Sequence, residues 1–255
     1  MTMKSHLLIP VAMLGIFLIS NHAKGQAAGP ALKKAPASVT IDGLVSDWKD
    51  TPPVFDGKFK LSYTIANDDT SLYLIVLTGD PMVKRKITKA GITVSINTEG
   101  KKRKTYSVTF PKPGSSGFRR NADNTGSFIP GTIQTSGFKG VNPDEIPPTN
   151  GVGFKAAFKF DDERNLGYEM AIPLRLLALK ADKSNDIFIN VCINGIDGDK
   201  SAGGISASAS TGAVNHTGRD GGKKSDSGNS NGGGGADDPD MSESQDFWLR
   251  FTLAH

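Results

Sequence analysis

The 255-residue chain has little of several residue types that common activities require. Its one cysteine, Cys192, excludes an intramolecular disulfide, so the fold must depend on its core or on bound ions. Beyond residue 25 the only histidines are His216 and His255, which gives little support to a serine or cysteine triad. Thirty basic residues against 26 acidic ones do not favour nucleic acid or an anionic membrane as the main partner. These shortages favour a protein that is not an enzyme.

The first residues have the pattern of an export signal. Lys4 precedes an apolar run over residues 7–19, and a short polar region with small residues follows. The run is shorter than the ~20 residues of a membrane span, and Pro10 interrupts it. We therefore expect a signal peptide over 1–25, a flexible segment over 26–37 and an exported protein, periplasmic or secreted. No later apolar run is long enough for stable membrane insertion after signal cleavage.

The rest of the chain reads mainly as β-strands. Apolar and polar residues alternate in several segments, which is typical of antiparallel sheets with one buried face. Residues 72–77 and 187–193 are continuously apolar and are predicted to be central strands. The only predicted helical turn follows Pro173. These signals predict an all-β fold, an antiparallel β-sandwich of the immunoglobulin or jelly-roll kind, over residues 38–255. The alternating segments are 59–65, 92–96, 106–110, 154–160, 168–172 and 247–253.

Two long stretches interrupt the strand pattern. Residues 111–151 are rich in proline and glycine, and a connection of this length is often functional. Residues 198–245 consist mostly of glycine, serine, asparagine and aspartate, with too few apolar side chains to offset the entropy of ordering. We predict a long loop for the first stretch and a flexible insertion before the last strand for the second. The basic runs 84–86 and 101–104 are expected at strand edges and hairpin tips.

Three ordered motifs carry a family resemblance. Residues 39–48 contain Ile-Asp-Gly and Asp-Trp, residues 166–174 contain Tyr-Glu-x-Ala-Ile-Pro, and residues 186–194 form an apolar strand that ends in asparagine. The set resembles the family 9 carbohydrate-binding modules and their DOMON-like relatives, over roughly residues 38–254 without the two long stretches. The resemblance implies a single β-sandwich that binds sugars or, in some relatives, haem.

Few side chains are suited to sugar binding, which needs an aromatic face with polar groups around it. Alternation in the last strand places Trp248 and Arg250 opposite its core-facing residues, so Trp248 is either a binding platform or is covered by the insertion. Phe118 and Arg119, in the long loop, either contact a ligand or hold the loop onto the body. Glu169 is predicted on the solvated face of its strand, where it hydrogen-bonds a sugar hydroxyl or is merely hydrated.

One tryptophan and one acidic pair have two possible roles each. Trp48 is expected to pack in the core rather than stack on a sugar. Asp197 and Asp199 are hard oxygen ligands of the kind that calcium needs, and calcium accompanies some modules of the resembling family; the alternative is a solvated acidic loop. No cofactor is expected, with calcium as the one candidate. Haem is disfavoured because neither His216 nor His255 lies in a predicted strand or helix.

The leading hypothesis is an exported, non-catalytic protein that binds a carbohydrate of the envelope or the surroundings. The alternative is a structural or protein-interaction β-sandwich of the cell envelope, whose long loops contact a partner. A DOMON-like haem module is the third hypothesis.

Overall fold

The computed structural model describes residues 29–120, 126–141, 144–179, 186–196 and 239–254. Strands are the main regular structure among these residues, and the helices are short. The helices are α1 (Pro81–Ala90) and α2 (Pro239–Ser242), with 3-10 turns at Val45–Trp48 and Leu174–Leu176. The strands are β1 (Lys33–Lys34), β2 (Val54–Asp56), β3 (Leu61–Asn67), β4 (Ser71–Thr78), β5 (Ile92–Asn97), β6 (Tyr106–Phe110), β7 (Gly117–Arg120), β8 (Gly126–Ile129), β9 (Ile133–Ser136), β10 (Glu145–Ile146), β11 (Lys155–Phe160), β12 (Leu166–Pro173), β13 (Asp186–Ile193) and β14 (Gln245–Thr252).

Two six-stranded sheets form the body of the protein. In sheet I the order is β1-β3-β4-β12-β11, and β2 pairs with the β3 edge. In sheet II the order is β10-β9-β6-β5-β13-β14. Pairing is antiparallel throughout these orders except between β1 and β3. The predicted all-β sandwich is therefore confirmed, and β4 and β13 are interior strands, as the apolar runs predicted.

One apolar core lies between the sheets. Residues facing inward from both sheets, such as Leu74 and Tyr168 from sheet I and Val94 and Ile189 from sheet II, pack in a single buried cluster. Burial of apolar surface at about 25 cal/mol per Å² makes this cluster the main source of stability. The alternation in sequence thus predicts the core-facing residues, with the exception of Phe160, which is 47% exposed.

Strand β12 departs from the predicted half-buried pattern, because all eight of its residues are buried. Its outer face is covered by the 3-10 turn that ends at Trp48, whose ring packs with Tyr73, Ile75 and Ala171 in a second apolar cluster. Trp48 is 1% exposed, which confirms that it packs in the core.

Helix α1 was not predicted, since the sequence was expected to contain almost no helix. Pro81 occupies its first turn, and the carboxylate of Asp80 caps it by accepting hydrogen bonds from the backbone N–H groups of residues 82 and 83 at 3.0 and 2.9 Å. Gly91 ends the helix with φ +79°, a conformation that favours glycine. The basic run 84–86 therefore lies in a helix and not at a strand edge. The turn predicted after Pro173 is the short 3-10 turn.

The segment predicted to be flexible over 26–37 is hydrogen-bonded in its described part, 29–37. Leu32 is buried, and its N–H donates to the carbonyl of Thr252 in β14 at 2.8 Å. Strand β1 pairs with β3 in the other sheet. This segment therefore contacts both sheets, and the prediction of flexibility is wrong there.

The structure contradicts the prediction for the first long stretch and describes only the end of the second. Residues 111–151 contain strands β7 to β10, of which β9 and β10 extend sheet II, so the prediction of an irregular loop is wrong. Of the insertion 198–245, residues 198–238 lie outside the described part of the chain. Its flanks meet, because the N–H of Ile196 donates to the carbonyl of Met241 at 2.8 Å. None of the described helices is long and apolar enough to cross a membrane.

Candidate ligand-binding face

The outer face of β13 and β14 carries the residues most suited to bind a ligand. Phe247, Leu249 and Phe251 pack against the core, which turns Trp248 and Arg250 to the outer face as predicted. In the register of the two strands Trp248 lies opposite Asn190, and Arg250 lies opposite Phe188. Trp248 is partly exposed. An aromatic side chain therefore lies at the surface with an amide and a guanidinium beside it.

Arg250 is held in place by its neighbours. Its Nη2 donates to Oδ2 of Asp186 at 2.6 Å, and the guanidinium lies 5.8 Å from the centre of the Phe188 ring. The other Asp186 oxygen accepts from the N–H of Gly29 at 3.0 Å. The hydrogen bond from Arg250 holds the pKa of Asp186 below its usual value. The arginine is thus fixed in orientation by an ion pair at the start of β13.

Asn190 is fully buried although it lies in the middle of an apolar strand. Its Nδ2 donates to Oδ2 of Asp246 at 2.7 Å and to the carbonyl of Phe247 at 3.1 Å. Its Oδ1 accepts no hydrogen bond, and Nε of Arg250 donates none, although both atoms are buried. Buried polar atoms without a partner are uncommon and costly. An acceptor and a donor without partners therefore flank Trp248, and a hydroxyl group can satisfy both kinds of atom.

The neighbouring strands of the same face carry short polar side chains. Two pairs cross from β5 to β6, Thr93 with Thr109 at 2.8 Å and Ser95 with Ser107 at 2.9 Å, and Asn97 donates to Thr105, just before β6, at 2.8 Å. The pairs of Thr93 and Ser95 follow the strand register, in which alternate residues share one face. The outer face next to Trp248 is therefore polar, and Ser95 and Asn97 on it are fully buried.

Glu169 does not lie on a solvated face. It is 0% exposed, and its carboxylate accepts three hydrogen bonds: from the indole Nε1 of Trp48 at 2.9 Å and from the N–H groups of Asp42 and Gly43 at 2.9 and 2.8 Å. The placement on a solvated face is wrong because the segment before β2 folds over β12. Burial raises the pKa of Glu169, while these three donors act to lower it. The carboxylate ties the first motif of the sequence to the second and lies away from Trp248, in the other sheet.

The other candidate residues have separate positions. Phe118 and Arg119 lie on β7, paired in register with residues 128 and 127 of β8; their side chains lie outside the described part of the structure. Asp197 and Asp199 also lie outside it, so the calcium prediction stays a prediction. Among the described residues no group of three or more His, Cys, Asp and Glu side chains is placed to hold a metal. Cys192 is buried, as predicted, and burial raises the pKa of its thiol.

The structure brings together Trp248 and Arg250 but neither of them with Glu169. The sequence analysis missed Asn190, Asp246 and Asp186, which complete the face. A signal for Asn190 was present, since it is a polar residue on the same face as Trp248 within an apolar run. Nothing in the sequence indicated that Oδ1 of Asn190 and Nε of Arg250 lack hydrogen-bond partners.

The chain is similar to solved structures, and it matches no protein-family profile and no curated protein. One of these structures is a carbohydrate binding module family 9 from Caldicellulosiruptor kristjanssonii in complex with cellotriose, at 14% sequence identity and a TM-score of 0.32, over 64% of this chain and 76% of that one. A similarity of this size does not assign the chain to a family.

Proposed function

We propose that this protein is a non-catalytic sugar-binding β-sandwich that takes its ligand on the outer face of β13 and β14. The observation that carries the proposal is the partly exposed Trp248 with an acceptor of Asn190 and a donor of Arg250, both without partners, on either side of it. A pyranose has an apolar face for an aromatic ring and hydroxyls that both donate and accept.

The geometry suggests how a sugar would bind. The ring of Trp248 supplies the apolar contact, a hydroxyl donates to Oδ1 of Asn190, and the same or a neighbouring hydroxyl accepts from Nε of Arg250. Both protein atoms are shielded from solvent. Binding therefore requires a side-chain shift at this face, which lowers affinity by the free energy of that shift. The ion pair to Asp186 limits the rearrangement that Arg250 needs.

Binding of neutral oligosaccharides tests the proposal by isothermal titration calorimetry. Trp248→Ala should weaken binding at least about tenfold, since central aromatic contacts dominate such sites. Asn190→Leu should weaken it as well, because it removes the acceptor. Phe55→Ala, at an exposed aromatic of sheet I, is the matched control and should leave affinity unchanged. Absence of binding to every oligosaccharide tried would exclude the proposal.

Export and calcium binding belong to the same proposal. Export depends on the sequence pattern of residues 1–25, and mass spectrometry of the protein recovered from cell fractions measures whether the chain begins after Gly25. A calcium requirement, through Asp197 and Asp199, is tested by repeating the titrations with the ion and with a chelator. Equal affinity in the two conditions would remove calcium from the account.

A second candidate function is protein interaction, the alternative reading of the same fold. Val54 and Phe55 are 62% and 69% exposed on β2, which is at the edge of sheet I. Exposed large apolar residues on an edge strand are typical of surfaces that pair with another chain. Cross-linking in the native envelope distinguishes the two functions: a stoichiometric partner that Phe55→Ser releases and Trp248→Ala keeps favours this candidate.

A further inference from the structure

A cleft lies between α1 and the turn that joins β11 to β12. Its volume is about 530 Å³, and it is lined by Pro81, Lys84, Arg85, Thr88, Phe160 and Arg164. None of these residues belongs to the Trp248 face. Three of the six side chains are cationic, and one is aromatic.

Hydrogen bonds between the two elements build this cleft. Nζ of Lys84 donates to the carbonyl of Arg164 at 2.9 Å, which fixes the turn on the helix. Within the turn, Asp161 accepts from the N–H and Nδ2 of Asn165 at 2.7 and 3.0 Å. Lys84 keeps two further donor hydrogens for a ligand. The walls of the cleft are therefore positioned before any ligand arrives.

Arg164 is unusual in its backbone and in its side chain. Its φ of +63° lies in the left-handed region, which glycine or asparagine occupies more easily than arginine. Its guanidinium forms no ion pair with any residue in the described part of the chain. An arginine is thus present where the backbone favours glycine, and its charge has no partner there. A role for the side chain in binding explains both facts.

Phe160 adds an apolar surface between these charges. It is 47% exposed, whereas the other inward-facing aromatic of β11, Phe158, is buried. From this arrangement we infer that the cleft binds an acidic sugar, a pyranose with a carboxylate. The ring face of the sugar lies on Phe160, and the carboxylate accepts hydrogen bonds from Arg164 and Lys84.

The surroundings favour a sugar with isolated charges over a dense polyanion. Asp161, Asp162 and Glu163 are exposed on the same turn as Arg164. A nucleic acid, with one charge per ~1.7 Å of duplex, would bring phosphates against these carboxylates. A single carboxylate on an otherwise neutral saccharide needs contact only with Arg164 and Lys84, so it brings one negative charge near these acids where a polyanion brings many.

A single-charge ligand and its neutral ester test this inference. The probe is xylotriose with one glucuronate branch, and its carboxyl methyl ester is the matched neutral ligand; affinities of the purified protein are measured by calorimetry. We expect the acid to bind at least about tenfold more tightly than the ester, since a charged hydrogen bond is stronger than a neutral one. Sodium sulfate alone should compete only weakly, because it has no ring for Phe160.

Two pairs of variants separate binding from folding. Arg164→Gly removes the charge and relieves the backbone, so it should weaken binding of the acid about tenfold with no loss of melting temperature. Lys60→Gly is its control, a basic residue with φ +53° that lies outside the cleft. Phe160→Ala should weaken binding of the acid and Phe55→Ala should not.

The outcomes decide between the inference and its alternatives. Equal affinity for acid and ester, or equal loss in Arg164→Gly and Lys60→Gly, would overturn it. Sulfate binding as tight as that of the acid would show an anion site without sugar recognition and would also overturn it. In a Trp248→Ala background the outer face no longer binds the xylotriose, so the difference in affinity between acid and ester measured there reports the cleft alone, and failure here is distinguishable from failure of the Trp248 face.

Discussion

Replacing Glu169 by alanine should destabilise the fold more than any change at an exposed carboxylate. The substitution leaves three N–H groups without their acceptor: those of Asp42, Gly43 and the Trp48 indole. The bonds from Gly43 and Trp48 are buried, so water cannot replace the carboxylate there. The bond from Asp42 is partly buried, and water can compensate for part of its loss.

The magnitude follows from these contacts. An orphaned buried donor costs ~1–3 kcal/mol, so two of them cost about 2–6 kcal/mol before any cavity is counted. Relief of the buried charge, whose desolvation raises the pKa of Glu169, offsets part of this loss. A loss of about 3 kcal/mol is a large part of the 5–15 kcal/mol that stabilises a typical domain.

Urea denaturation followed by fluorescence and circular dichroism measures the loss. Glu163→Ala, at an exposed carboxylate, is the control and should change the free energy of unfolding by less than about 0.5 kcal/mol. A double-mutant cycle isolates the indole contact. In a Trp48→Phe background the cost of Glu169→Ala should fall by about 1–2 kcal/mol, because one of the orphaned donors is gone. Additive losses, or a Glu169→Ala loss no larger than that of Glu163→Ala, would refute the reasoning.

Two further predictions concern a tight backbone approach and an ion pair. Gly91→Ala should cost more than about 2 kcal/mol, because φ is +79° and a Cβ would lie 2.1 Å from the carbonyl of Pro111; Gly100→Ala, with φ +74° and open space around it, should cost about 1 kcal/mol. Equal shifts in the urea midpoint would contradict this. The pKa of Asp186 is lowered in the folded state, so its ion pair with Arg250 adds to the free energy of unfolding. That stabilisation is complete above the unfolded-state pKa of about 4 and is lost as the pH falls through the folded-state pKa. Arg250→Gln should therefore be less stable than the parent at pH 7, with the difference shrinking below about pH 4; a difference independent of pH would disprove the linkage.

The strands were predictable because alternation records which residues share a face. Residues 92–96, 106–110 and 247–253 have the inward-facing positions that the pattern gave. What covers an outer face is not encoded locally. Glu169 has the sequence pattern of a solvated residue, and only the return of the segment at Trp48 buries it. Helix α1 had usable signals in Asp80, Pro81 and Gly91, but its short apolar stripe is interrupted by the basic run.

The candidate site was predictable in part for the same reason. The pattern of β14 placed Trp248 and Arg250 together on the outer face. The role of Asn190 depends on the register between β13 and β14 and on which of its atoms find partners, and neither follows from local sequence. The cleft at Phe160 depends on the docking of a turn onto α1, a contact between residues 80 positions apart.

The most direct test of sugar binding at the outer face is tryptophan fluorescence of the purified protein during titration with neutral oligosaccharides. Trp48 and Trp248 are the only tryptophans, and Trp48 is 1% exposed, so a ligand at this face should change the emission of Trp248 alone. The account predicts a saturable shift that disappears in Trp248→Phe and persists in Phe55→Ala. A saturable shift retained in Trp248→Phe, or no shift with any sugar, would contradict it.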